Sequence, residues 1–350
     1  MSKLRSDDNS TISRREAAVL ATVIRGYVTT AKAVGSRWVA RESGLTLSPA
    51  SIRNCMMDLE ERGLLTHLHT SGGRLPTDLG YRVYVDSVMK RAALGKKDQR
   101  HVDDALSSSF RSLERFLHAA CQTLGQVSDQ LSVVLSPRYD GSVVDRIELN
   151  QVDETRVLVV FRMSSGIERT VVVKLGGAIG SEDLRESLVF VNSVASGQTL
   201  ADVVALREQE EMRPRLRQLA LARAVSEGAE ELGQEDSSEH FHLWGTSNIL
   251  GQPEFEDRDQ LRSVFEAVEE SGVLADLFEP TRHVKSTSVT IGQENPIEAL
   301  HGCSVVARSY RFGEFAGAVG VIGPTRMPYD FVVSLVDYVA SAVGSALARN

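Results

Sequence analysis

Residues 48–86 read SPASIRNCMMDLEERGLLTHLHTSGGRLPTDLGYRVYVD, and this stretch decides how the rest of the chain is understood. Ser48 followed by Pro49 is a helix start: a hydroxyl that can cap free amides, then a residue that needs no amide donor. Ile52, Cys55, Met56 and Leu59 then fall on one helical face, and Gly63 is placed to end the helix. The other side of the first half carries Ala50, Ser51, Arg53, Asn54 and Met57. Small groups, a guanidinium and a carboxamide on an exposed helix N-terminus suit base edges in a major groove. There Arg pairs with guanine and Asn with adenine in bidentate fashion. Two short strand-like runs follow, LLTHLH and RLPT, joined by Thr70-Ser71-Gly72-Gly73. The two glycines allow the positive backbone angles of a hairpin turn. A helix followed at once by such a hairpin is the plan of a winged helix.

Working outward, residues 13–28 read as a helix with Val19, Leu20, Val23 and Tyr27 at helical spacing, and Ser36 to Ser43 as a shorter one ended by Gly44. The order is then helix, helix, turn, reading helix, wing. Arg37 and Arg41 on the second helix either meet backbone phosphates or stand as solvated arginines, and the sequence does not choose. Arg74, just past the wing tip, is placed to reach a minor groove or a phosphate. Glu60 and Glu61 would be repelled by phosphates, so the reading helix must enter by its N-terminus. The residues expected to touch DNA are Ser48, Ala50, Ser51, Arg53, Asn54, Met57 and Arg37, with His69, Thr70, Ser71 and Arg74 from the hairpin. Thr77-Asp78 starts another helix, whose Tyr81, Val85 and Val88 are expected to pack under the wing.

The pattern SxASIRNxMxxLExxGLL, then HTSGGRLPTDxGYRxYVD, resembles the signature of the heat-inducible transcription repressor family, HrcA. The resemblance continues through QPEF at 252–255 and GVIGPTRMPY at 320–329, and so spans nearly the whole chain. It implies a bacterial repressor of chaperone operons that binds an inverted-repeat operator as a homodimer, is released on heat stress and is modulated by the chaperonin. It also implies a GAF-like domain interrupted by an inserted dimerisation domain. Cys55 departs from the family pattern, where Glu is usual, as does Leu68, where Pro usually precedes the His.

The chain has 350 residues, 42% of them hydrophobic, enough for two or three ordinary cores. Its net charge of −8 argues superficially against a nucleic-acid partner. Residues 1–100, however, hold 17 Lys+Arg against 10 Asp+Glu, or 17 − 10 = +7, while the remainder holds 22 − 37 = −15. A basic domain is attached to an acidic body, and binding follows the local field rather than the overall pI. Cys55, Cys121 and Cys303 lack paired spacing, so no disulfide framework is expected. The first 11 residues are unlike a secretory signal, and no apolar run approaches the ~20 residues of a membrane span. The expected location is cytoplasmic, at the nucleoid when bound to DNA.

Residues 90–101, KRAALGKKDQRH, read as a linker, and 102–131 as one long helix with a stripe from Leu106 to Leu131. Strands are expected at 143–149, 156–163 and 169–175, and again at 284–291, 304–312 and 315–322. A final helix spans 328–347, with Val332, Leu335, Val339, Val343 and Leu347 as its stripe. The expected fold is therefore α+β and multidomain: a winged helix-turn-helix at 1–89, the linker, one sheet domain from 102–180 and 281–350, and a mainly helical insertion at 181–280. Between Arg223 and Arg258 lie nine acidic residues and no Lys or Arg, next to an aromatic cluster from Phe241 to Phe255. That run is either a partner surface or core beneath an acidic loop.

Catalytic signatures are missing: no GxSxG, Walker-type loop or HExxH occurs, and neither a cofactor nor a metal is expected. His67-x-His69, His240-x-His242 and Cys55 allow a metal-sensor reading without a complete ligand set. GPTRM leads into the last helix, where free amides and Arg326 could hold an anion, or simply pack the domain. The leading function is a dimeric repressor of chaperone genes without a reaction of its own. The alternative is a winged-helix regulator whose GAF-like domain binds a small effector.

Overall fold

The computed structural model describes residues 12–67, 73–108, 113–137, 143–164, 166, 168–178, 180–205, 221, 223–230, 232, 241–269, 271–282, 284, 286–312 and 315–347. It is a mixed structure of helices and several sheets. The chain divides into two compact units, one of residues 1–135, 241–310 and 318–350, the other of 136–240 and 311–317.

The first unit begins with a small lobe. Helix α1 (Arg14–Thr30) opens on a reciprocal cap: Ser13 Oγ accepts from the Glu16 amide, and the Glu16 carboxylate accepts from the Ser13 amide. Strand β1 (Val34–Gly35), helix α2 (Ser36–Glu42), helix α3 (Pro49–Glu61), strands β2 (Leu65–Thr66) and β3 (Gly73–Pro76), and helix α4 (Asp78–Val83) follow. The helical path continues beyond α4 as a π-turn over Tyr84–Val88. Val19, Leu20, Val23 and Ile24 of α1 are buried, as are Val39 of α2 and Ile52, Cys55, Met56 and Leu59 of α3. The three strands form an antiparallel sheet in the order β1-β3-β2. Gly73 is needed there for closeness rather than for a turn. It lies within β3 and is not among the glycines of positive φ, and a Cβ on it would sit 2.7 Å from that of Ala33. The segment 68–72 lies outside the described residues.

After the lobe come α5 (Lys96–Ser108), α6 (Leu113–Ser128), β4 (Leu131–Leu135), β5 (Val144–Gln151), β6 (Arg156–Met163), β7 (Glu168–Lys174), α7 (Ser181–Ala195), α8 (Leu200–Ala205) and β8 (Phe241–Trp244). The chain ends with α9 (Arg258–Glu269), α10 (Ser271–Arg282), β9 (Ser288–Ile291), β10 (Cys303–Phe312), β11 (Phe315–Pro324) and α11 (Tyr329–Leu347). Within the first unit, five strands form one sheet in the order β8-β4-β11-β10-β9. Leu131, Val133 and Leu135 of β4 point into a core with Phe255, Val264, Leu274, Phe278 and Ile322. The alternate residue Ser132 faces the other way, and its hydroxyl donates to the Cys121 carbonyl of α6 at 2.7 Å. α11 lies beside α6 and buries Val332, Leu335, Val339, Val343 and Leu347, the stripe expected from the sequence.

The second unit has its own sheet, β5-β6-β7, and its own core. Ile147 pairs with Phe161 and Val159 with Val171 across the antiparallel ladders. Their inward faces pack against Val191 and Ala195 of α7, Leu200 and Val203 of α8, and Val225.

Several expectations are corrected. The strands of 143–175 and 284–322 do not complete one sheet, because β5, β6 and β7 are satisfied by one another and by α7 and α8. The second unit accordingly begins at Ser136, and residues 241–280, expected in the insertion, belong to the first unit. The linker expected at 90–101 runs into α5 from Lys96. The one long helix expected over 102–131 is instead two, α5 to Ser108 and α6 from Leu113, packed against each other. The second, α6, ends at Ser128 because Leu131 opens β4. One described helix, α11, is long and apolar enough to cross a membrane by length and composition alone. Its buried stripe accounts for that composition as a core helix.

Candidate nucleic-acid interface

The face expected to meet DNA is built on α3. Ser48 is its N-cap, extended in backbone, with its Oγ accepting from the Ser51 amide at 3.1 Å. Pro49 occupies the first turn, and Gly63 at φ +73° follows the C-cap, so both expected ends are found. Burying Ile52, Cys55, Met56 and Leu59 rotates the opposite side outward. Ser48, Ala50, Arg53, Asn54 and Met57 are exposed, and Ser51 is half-buried against the cap. Met57, at 46% exposure, is large and apolar for such a position. Arg37 is exposed on α2, and Arg41 pairs with its neighbour Glu42 at 3.0 Å.

The strand pair that follows α3 differs from expectation. Arg74 does not stand out as a free cation: its Nη2 lies 2.7 Å from Glu60, and its side chain is 18% exposed. His67 contacts the same carboxylate through Nδ1. Burial works to raise the Glu60 carboxyl, and the His67 and Arg74 contacts outweigh it, holding the pKa below the ordinary value. Glu60, expected only as a source of repulsion, therefore links the end of α3 to β3. The opposite charges of Glu60 and Arg74 were visible in the sequence; that a helix end and a strand would meet was not. His69, Thr70 and Ser71 lie outside the described residues.

Other candidates are spoken for within the fold. Cys55 is fully buried in the lobe, and burial raises its thiol. Burial likewise pushes the Cys121 and Cys303 thiols up to about 12. Arg326, a candidate anion holder, is turned instead onto Glu254, Gln252 and the Val28 carbonyl. Among the described residues no group of three or more His, Cys, Asp or Glu side chains is placed to hold a metal.

Against known proteins, residues 114–333 match the family described as HrcA protein C terminal domain. A heat-inducible transcription repressor HrcA from Geobacter sulfurreducens is 35% identical over 96% of this chain and 98% of its own length. One from Moorella thermoacetica is 33% identical over 97% of this chain and 98% of its own. A solved structure described as a hypothetical protein at 2.2 Å resolution superposes with a TM-score of 0.60 at 21% identity, covering 97% of this chain and 99% of that one. The class is thus that of transcription repressors and not of enzymes. Within that class, the chain belongs to the HrcA family of heat-inducible transcription repressors.

Proposed function

We propose that the chain represses chaperone operons by binding an inverted-repeat operator as a homodimer, and that heat stress releases it. In this reading residues 12–88 are a winged-helix reader, and the five-stranded sheet with its helices is a GAF-like body. The carrying observation is the face of Ala50, Arg53, Asn54 and Met57, exposed at the capped N-terminus of α3 while the other face fills the lobe's core. Arg and Asn one residue apart on a narrow helix can meet successive base edges. A single helix reads a short half-site, so an inverted repeat asks for a twofold pair.

The second unit is the natural place for that pairing. Its α7 leaves Val189 73% exposed, with Leu188 and Phe190 half-buried beside it, and β7 leaves Val172 50% exposed. Apolar groups of this kind are suited to burial against a twin. The family resemblance adds a chaperonin as the modulator that keeps the repressor folded, and a cytoplasmic site of action on the nucleoid.

Footprinting on the protein's own chaperone promoter, with Arg53→Ala and Asn54→Ala beside the wild type, tests the reading. Each variant should lose about 1–3 kcal/mol of specific binding and relax one operator position. If Asn54→Ala keeps full operator preference, α3 does not enter the groove as argued.

A further inference from the structure

Three stretches quoted for the family pattern, far apart in sequence, meet in space: GYR at 80–82, QPEF at 252–255 and GPTRMPY at 323–329. They form the seam between the small lobe and the five-stranded body within the first unit. At its centre is Arg326, whose side chain is only 11% exposed. Nε donates to Glu254 Oε1 at 2.5 Å, and Nη2 to Gln252 Oε1 at 2.9 Å and Glu254 Oε2 at 3.2 Å. The remaining terminal nitrogen, Nη1, crosses the seam and donates to the Val28 carbonyl at 2.7 Å.

That carbonyl is chemically apt. Val28 lies in the last turn of α1, where carbonyls have no partner further along the helix and the helix end carries partial negative charge. α1 has no basic residue of its own in that turn. Arg326 supplies the missing cation from the body, held in plane by the Glu254 carboxylate. The Glu254 pair and burial act on it in opposite directions, and the pair prevails, so the guanidinium stays charged.

Three further contacts cross the same seam. Arg82 of α4 donates Nε to Glu294 at 2.8 Å, and its Nη2 contacts that carboxylate again and donates to the Val289 carbonyl of β9 at 2.6 Å. Asp78 accepts from the Gln293 amide at 3.2 Å, beside Gly292 at φ +54°. A Cβ on Gly292 would fall 2.0 Å from the Asp78 carboxylate, so a side chain there would displace that carboxylate. Tyr81 packs against Tyr329 with ring centres 5.5 Å apart and ring planes tilted by 52°, both rings fully buried. None of these groups lies on the exposed face of α3.

We propose that Arg326 is a positioning residue for operator binding: with the Arg82–Glu294 pair it fixes the reading lobe on the body, so that the body sets the direction in which α3 points. The inference rests on the operator-binding function proposed above. A rigid reader binds two half-sites strongly only at matching spacing, whereas a reader on a loose joint tolerates many spacings at lower affinity. Each base pair added between half-sites turns one relative to the other by roughly a tenth of a turn, so spacing is a sensitive gauge.

Two measurements on the full chain test it, using wild type, Arg326→Ala, the milder Arg326→Lys and Arg82→Gln. The first does not involve DNA. Spin labels on Glu61→Cys of α3 and Ser345→Cys of α11, both exposed and diluted with unlabelled protein, report the lobe-to-body distance; the native cysteines are buried. The wild type should give one narrow distribution and Arg326→Ala a broad one, with Arg326→Lys and Arg82→Gln between. The second uses an inverted repeat selected from random DNA by the wild type, re-spaced by one to five base pairs. Arg326→Ala should lose about tenfold or more at the selected spacing. Its preference among spacings should flatten, and binding to a lone half-site should stay unchanged. A narrow distribution in both Arg326→Lys and Arg82→Gln overturns the clamp, even if Arg326→Ala fails to fold. Broadening with spacing preference intact overturns the positioning role. A wild type that selects no inverted repeat sinks the operator reading, while the distance measurement still judges the clamp.

Discussion

The outer face of α3 and the seam beneath the lobe use the same residue types in opposite ways. Arg53 and Asn54 are exposed on α3, whereas Arg326 has a carboxylate, a carboxamide and a main-chain carbonyl around one guanidinium. An arginine kept for an outside ligand is left solvated, where it costs little. An arginine taken out of water must have its donors satisfied, because a buried charge without partners is strongly destabilising. On the proposed function, the molecule separates a surface that reads from a joint that holds.

Salt should part the two most widely. Affinity that comes from phosphate contacts falls by about 0.9 in log K per phosphate for each unit of log salt. A repressor making six or more such contacts loses about a thousandfold between 50 and 200 mM salt. The Arg326 contacts are mostly shielded from solvent, and exposed pairs are the ones that salt screens. Operator titrations and lobe-to-body distances measured over the same salt series should therefore diverge, with affinity collapsing while the distance stays narrow. A distance distribution that widens in step with lost binding would mean that salt acts through the joint.

Gly80 offers a way to break the joint without touching the outer face of α3. It opens the Tyr81–Arg82 stretch of α4, and a Cβ on it would lie 2.1 Å from the Leu64 carbonyl oxygen. That obstacle is main chain and cannot swing aside, so α4 must shift. Gly80→Ala should lower stability by about 1–3 kcal/mol, as overpacked sites do. Urea unfolding followed by far-UV circular dichroism measures it. An unchanged midpoint would show that α4 moves freely against the β2 end of the lobe.

Much of α3 was legible because its information is local. Ser48, Pro49 and Gly63 mark the ends, and the spacing of Ile52, Cys55, Met56 and Leu59 marks the buried side. The seam was half legible: QPEF and GPTRMPY stood out as patterns, but spacing along a chain does not say that Arg326 meets Val28. Sheet membership failed for a related reason. Alternation in residues 144–174 identifies half-buried strands without naming the edge they pair with. β4, LSVVL, is buried at every position, so it lacks the two-residue period: Leu131 read as the end of a helix, and the rest was assigned to no element. Residues 96–101 are too highly charged to show an apolar face, and α5 is anchored further on by Val102 and Leu106.

The smallest effect is expected at the tyrosine pair, and it separates packing from hydrogen bonding within the seam. Tyr329 and Tyr81 are equally buried, and burial raises both phenols well above their ordinary range. Their hydroxyls differ. Tyr329 OH donates to the Thr325 carbonyl at 2.8 Å and lies 2.6 Å from Ser304 Oγ, whereas Tyr81 OH is buried with no hydrogen-bond partner among the described residues. A buried hydroxyl without a partner carries its desolvation cost uncompensated, so removing it returns that cost, while removing a bonded one strands its neighbours. Tyr81→Phe should leave stability unchanged or raise it by up to about 1 kcal/mol, and Tyr329→Phe should lower it by about 1–2 kcal/mol. Both keep the ring contact, so neither should widen the lobe-to-body distance. Thermal unfolding of the two variants side by side decides the matter. If Tyr81→Phe proves the more damaging of the two, its hydroxyl is held by a bridging water between lobe and body, and the joint is wetter than its direct contacts suggest.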